Sequence, residues 1–151
     1  MEIDINLKAQ DFSKYFPNYE AICQNIFKII IPQLGRLEAV LLKAELAITL
    51  ADDQFLQELN HRYRKRNQAT NVLAFPNYDD FSETNLKPLN QEPILNLGDI
   101  VISWQRLVIE AKAQEKTINH HFHHLLLHGF LHLIGYDHQT DQEALMMENL
   151  E

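Results

Sequence analysis

Cysteine is almost absent from this chain: Cys23 stands alone among 151 residues. An intramolecular disulfide is therefore excluded, and so is a cysteine-rich zinc site. Cys23 itself reads as a small apolar residue within a helix. Basic residues are also in short supply, with 13 Lys and Arg against 21 Asp and Glu and a formal charge of −8. Such a balance does not advertise nucleic-acid binding. No apolar run approaches the ~18 residues that a membrane-spanning helix needs. The opening MEIDINLKAQ lacks the basic and apolar regions of a signal peptide. The expectation is a cytoplasmic protein with no membrane partner.

What is present fits a globular domain. Hydrophobic residues make up 46% of the chain, enough for a core at this length. Ile3 and Ile5 alternate with polar residues across Glu2–Leu7, as in a strand with one wet face. Tyr19–Ile31 carries apolar residues at helical spacing and stops near Pro32. Ala44–Leu50 reads as a second strand, and Asp52 or Asp53 can cap a helix reaching about Tyr63. Thr70–Phe75 and Leu97–Ser103 are further strands, and Trp104–Glu115 is an amphipathic helix. Gln139–Leu150 closes the chain as a short helix, with Met146 and Met147 read as core residues. Asn77–Pro93 is polar, contains proline and shows no clear period. A stretch of that kind is usually a functional flap or a disordered insertion. Strands and helices interleave, so a single α+β (mixed α/β) domain over residues 1–151 is expected, with about four strands and about five helices.

Histidine is concentrated. Ile118–His138, INHHFHHLLLHGFLHLIGYDH, holds seven of the eight histidines and two of the four glycines. Thr117 or Asn119 can cap a helix here, apolar nearly all round and therefore buried. His128 and His132 leave one face a turn apart. Gly135 offers the positive φ that ends helices, and the chain then turns through Tyr136 and Asp137 to His138. Three imidazoles so arranged form a site for a divalent metal with a fourth position open, as in catalytic zinc. The rival triad His124, His128, His132 runs along one straight helix and does not easily converge on one ion. His120, His121 and His123 read as solvated residues of the helix start. Asp137 is either a carboxylate orienting a ligand imidazole or a simple turn residue. The spacing of His128, His132, Gly135 and His138 is shared with metzincin proteases. Those carry Glu directly after the first histidine as the base, where this chain has Gly129.

Charge is also uneven. Leu59–Tyr78 contains no acid and holds Arg62, Arg64, Lys65 and Arg66. A local basic patch on an acidic body can still bind a polyanion. An arginine there can fork onto phosphate oxygens, and a base could stack on Tyr63. The plain alternative is a solvated basic loop.

The segment HGFLHLIGYDH (His128–His138) resembles the H-G-x-L-H-L-x-G-Y-D-H motif of the YbeY family of bacterial metal-dependent endoribonucleases. Leu59–Pro76 resembles that family's L-N-x-x-Y-R segment followed by P-T-[DN]-V-L-S-F-P. LGDIVIS (Leu97–Ser103) resembles its L-G-D-I-x-I-S strand, and Met147 and Glu148 its usual end. Ala69 and Ala74 depart from the usual Pro and Ser. The resemblance implies a small mixed α/β fold with the metal helix at its centre. It implies one zinc on His128, His132 and His138, and it makes Arg64 the functional arginine. It also implies 3′-end maturation of small-subunit (16S) rRNA and ribosome quality control.

The expected activity is zinc-dependent endonucleolytic cleavage of single-stranded RNA. Arg64 and His128 are the expected catalytic residues, and Arg62, Tyr63, Lys65 and Arg66 the expected RNA contacts. The ribosome or small-subunit proteins are the expected partners. Asp137 and a metal-bound hydroxide are both candidates for the base. Two alternatives predict different behaviour: a non-catalytic ribosome-assembly factor with structural zinc binds without cutting, and a metzincin-like protease hydrolyses peptides.

Overall fold

The alternation of Ile3, Ile5 and Leu7 with Glu2, Asp4 and Asn6 builds the first strand, β1 (Glu2–Leu7), whose apolar side packs against the main core. The structure is a computed structural model that describes residues 1–64 and 71–135. After β1 come α1 (Gln10–Tyr15), α2 (Tyr19–Ile30), a 3-10 stretch (Ile31–Leu37), α3 (Glu38–Leu42), β2 (Ala44–Ala51) and α4 (Asp53–Arg64). Then follow β3 (Val72–Pro76), α5 (Glu83–Asn90), β4 (Leu95–Ser103), α6 (Trp104–Ala113) and α7 (Ile118–Leu133).

The strands form one mixed sheet in the order β1-β2-β4-β3. β1, β2 and β4 run parallel, and β3 pairs antiparallel with β4 at the edge. A register shift between Glu45 and Leu46 lets Leu95 and Leu97 on one side of the bulge, and Ile100 and Ile102 on the other, all enter the same core. Gly98 sits at this bulge with φ +128, and a Cβ there would stand 2.1 Å from the Phe75 carbonyl oxygen. Only glycine allows β3 and β4 to approach so closely.

One face of the sheet carries most of the core. Leu46, Ile48, Leu50, Ala74, Ile100 and Ile102 pack there with Ile26, Phe27 and Ile30 of α2 and with Phe122, Leu126 and Phe130 of α7. Phe27 meets Phe130 edge-on at 4.9 Å. Phe16 stacks on Phe122 at 5.0 Å, and Trp104 meets Phe12 at 5.1 Å. Complete burial of each such ring contributes roughly 1.5–3 kcal/mol. On the other face a smaller cluster joins Ala51, Leu73 and Val101 to Leu56 of α4.

Capping fixes where the helices begin. Asp52 Oδ1 accepts from the Phe55 amide at 2.9 Å at the start of α4. Ser103, fully buried, donates to Asp53 Oδ1 at 2.5 Å and accepts from the Arg106 amide at 3.3 Å. One hydroxyl thereby ties the ends of β4, α4 and α6 together.

The expected four-stranded mixed α+β fold is present. Asn77–Pro93 differs from its reading as a structureless stretch: α5 forms within it and sends Leu86 and Leu89 into the core. Two inward leucines in 8 residues, with Pro88 inside the helix, leave too short a pattern for periodicity to show. α1 and α3, of 6 and 5 residues, escape notice for the same reason. The expected closing helix Gln139–Leu150, with Met146 and Met147, lies outside the described residues.

Candidate metal centre

Helix α7 is the longest of the described helices, at 16 residues, and nine of them are buried. Thr117 begins it: its side chain accepts from the His120 amide at 3.0 Å. The helix lies hard against the sheet at Gly129, where a Cβ would come within 2.9 Å of Ile100 Cγ2. The position that holds the base in metzincins therefore faces β4. Gly135, at φ +89, follows the last turn, and its amide reaches the His132 carbonyl at 3.2 Å. Among the described residues nothing lies within 4 Å of a Cβ built there, and the positive φ is what the turn asks of glycine.

The remaining stripe of α7 is histidine. Burial falls along it from His121, through the half-buried His124 and His128, to the exposed His132. The rings of His121 and His124 stack at 5.4 Å between centroids, and those of His124 and His128 at 6.2 Å. At the buried end, His121 Nε2 lies 2.8 Å from Glu110 Oε1. A carboxylate only accepts, so this nitrogen carries the proton. The same Glu110 oxygen accepts from Asn71 Nδ2 at 3.1 Å. His123 instead turns outward, with Nδ1 2.7 Å from the Asn119 carbonyl oxygen. Burial, followed by Lys116 and the neighbouring histidines, pushes His124 down to about 4, so its ring is neutral at ordinary pH.

His121 corrects the expectation from sequence. The sequence groups it with His120 and His123 as solvated, yet it is 2% exposed and paired. Its partner Glu110 carries no mark in the sequence, where it is one more polar residue of an amphipathic helix. Helical arithmetic offers a faint signal: 121, 124 and 128 share a face.

His128 and His132 leave α7 one turn apart, as the sequence predicts. The third expected ligand, His138, and its neighbour Asp137 lie outside the described residues. Among the described residues no trio of His, Cys, Asp or Glu gathers closely enough to hold an ion. That includes the straight triad His124, His128 and His132. A pair of imidazoles on a rigid helix, followed at once by a tight turn, suits a borderline metal such as zinc when a third donor follows.

Arg64 is the last residue of α4, and its side chain, like Lys65 and Arg66, lies outside the described set. Arg62 and Tyr63 are exposed; Tyr63 is 62% open, with the Arg62 guanidinium 6.0 Å from its ring centre. Tyr63 meets Phe75 edge-on at 5.8 Å. Phe75 belongs to the α4 side of the sheet, whereas Ala74 packs into the core beside α7. Tyr63 and the histidine stripe are thus on opposite faces of the edge strand β3. A cleft also opens at the end of α7, between Gly135, Arg36 and Ser82. Arg36 stands outside the basic segment that the sequence marks.

The architecture has a solved counterpart. The solution structure of the Thermotoga maritima protein TM1509 matches with a TM-score of 0.60, covering 97% of this chain and 85% of that one at 21% identity. It shows the same fold. Residues 5–151 match the family model described as Endoribonuclease YbeY. An endoribonuclease YbeY of Paramagnetospirillum magneticum is 38% identical over 151 residues, which is the whole of this chain and 88% of that protein. One from Nitrobacter winogradskyi is 48% identical over 108 residues, covering 72% of this chain and 55% of that protein. The chain belongs to the endoribonuclease YbeY family.

Proposed function

We propose that this chain is a zinc-dependent endoribonuclease that cuts single-stranded RNA. Its role is in 3′-end maturation of small-subunit rRNA and in ribosome quality control, in the cytoplasm, with the ribosome or small-subunit proteins as partners. The observation that carries this reading is the placement of His128 and His132 on successive turns of a buried helix ended by Gly135. The named relatives, each an endoribonuclease, support the same reading.

His128, His132 and His138 hold the metal. When bound, zinc supplies Lewis-acid polarisation at the scissile phosphate. The chain's own residues do the rest. Arg64 holds and orients the phosphate through its fork of donors and stabilises the charge that develops there. Arg62, Lys65 and Arg66 add sequence-independent attraction, and Tyr63 offers a ring for a base. Since Tyr63 and α7 flank β3 from opposite sides, an RNA strand touching both passes around the edge of the sheet. Asp137 steadies a ligand imidazole.

The deciding experiment compares zinc-loaded protein with an identically prepared His128→Ala variant on a labelled single-stranded RNA. Zinc-dependent cutting that the variant lacks is the expected result. Equal cutting by the metal-free variant would sink the mechanism. Binding to ribosomes without any cutting would favour an assembly factor, and casein hydrolysis a protease.

A further inference from the structure

A continuous polar array joins α6 to one face of α7, and His121 is its buried member. It starts at Asn71, the described residue at which the chain returns from the basic segment, and runs through Glu110, His121 and His124 to His128. Its cost is visible. Among the described residues, Nδ1 of His121 and Nδ1 of His124 are both buried without a hydrogen-bond partner. Such orphaned nitrogens are uncommon in folded proteins and each is destabilising. Leucines at these positions would fill the same helix face without that cost. Something other than packing therefore accounts for imidazoles here.

We propose that Glu110, His121 and His124 are positioning residues that fix the ring plane of His128 for metal binding. Glu110 receives the His121 Nε2 proton in a hydrogen bond, and Asn71 donates to the same carboxylate oxygen. The Nε2–H bond fixes the His121 ring, which lies at an interplanar angle of 18° to that of His124. The His124 ring lies at 21° to that of His128. A near-parallel ring 6.2 Å away narrows the range of His128 ring orientations, so the lone pair is partly aimed before the ion arrives. A direct hydrogen bond is the usual way to orient a ligand imidazole; the parallel rings add a constraint of a different kind. The array rests on the metal reading proposed above.

Zinc affinity is the test, measured by chelator competition, with the visible absorption of the cobalt-loaded protein as a second readout of ligand geometry. His124→Ala and Glu110→Leu should each weaken zinc about tenfold or more and shift the cobalt bands. His124→Phe, which keeps a flat ring, and Glu110→Gln, which keeps an acceptor for His121, should stay near wild type. Melting curves of the metal-free proteins establish that each variant is folded. Because the Phe and Gln variants preserve shape, they keep the comparison possible if the harsher pair does not fold: zinc binding lost in both would overturn the array. Folded His124→Ala and Glu110→Leu proteins with wild-type zinc affinity and cobalt bands would overturn it alone. A wild-type protein that takes up no zinc would overturn it together with the metal reading.

Discussion

Gly129 lies so close to Ile100 that a Cβ on it would stand 2.9 Å from the isoleucine Cγ2. This contact sets the depth at which the histidine helix rides on β4. It also turns residue 129 toward the sheet rather than toward the open side of His128.

Substitution at Gly129 should accordingly reveal crowding. Gly129→Ala gains about 1 kcal/mol of helix propensity and loses about 1–3 kcal/mol to overpacking. A modest net loss of stability in urea unfolding is expected. Gly129→Glu buries an unpaired carboxylate and should cost at least about 4 kcal/mol. A Gly129→Glu protein as stable as wild type would show that the helix can lift from the sheet.

Gly98 makes a stricter demand. Its φ is +128, and the Phe75 carbonyl oxygen stands 2.1 Å from where an alanine methyl would sit, which leaves no room for one. Gly98→Ala should cost about 3 kcal/mol or more and loosen β3 first. Amide exchange of Val72–Phe75, compared with that of β2, checks this: unchanged protection at Leu73 would refute it.

The Cys23 thiol should be inert in the folded protein. It is fully buried, and burial, helped by Glu20, pushes it up to about 12. The folded value lies above the unfolded one, so this group's stabilisation is complete below about pH 8.5. It is lost progressively as pH rises toward 12. A thiol-reactive dye should label the protein only as fast as it unfolds. Rapid labelling in native buffer would contradict this.

RNA affinity should separate charge from stacking. Removing one phosphate-contacting cation with Arg62→Ala should lower the slope of log affinity against log salt by about 0.7. Tyr63→Leu should weaken binding by about 1–3 kcal/mol and leave that slope unchanged. Fluorescence anisotropy with a labelled single strand at several salt concentrations measures both. An Arg62→Ala slope equal to wild type would remove Arg62 from the interface.

Much of this molecule is legible from residue order. The four strands announce themselves because each has a sided or continuous apolar pattern, and α4 and α7 begin where Asp52 and Thr117 can cap them. The helix-ending glycine is legible too, since Gly135 follows an apolar run with histidine in its last turn. What stays hidden is non-local. Glu110 and His121 are partners across two helices, and neither residue's neighbours in sequence betray the other. The bulge beside Gly98 has the same character, since its need arises from Phe75 on another strand. Helix α5 is hidden for a local reason: 8 residues with an internal proline look like a loop.

Helix α7 is at once the main beam of the core and the bearer of His128 and His132. A mutational scan read out by activity alone should therefore show a band of intolerance from Phe122 to Leu133, broken at the outward-turned His123. Two populations are mixed in that band. Leu125, Leu126, Phe130 and Leu133 should fail because the protein is lost, and His128 and His132 should fail while the protein persists. Only abundance measured beside activity would separate them. Inheritance is constrained as well: in this design the site cannot drift in position without taking the core along.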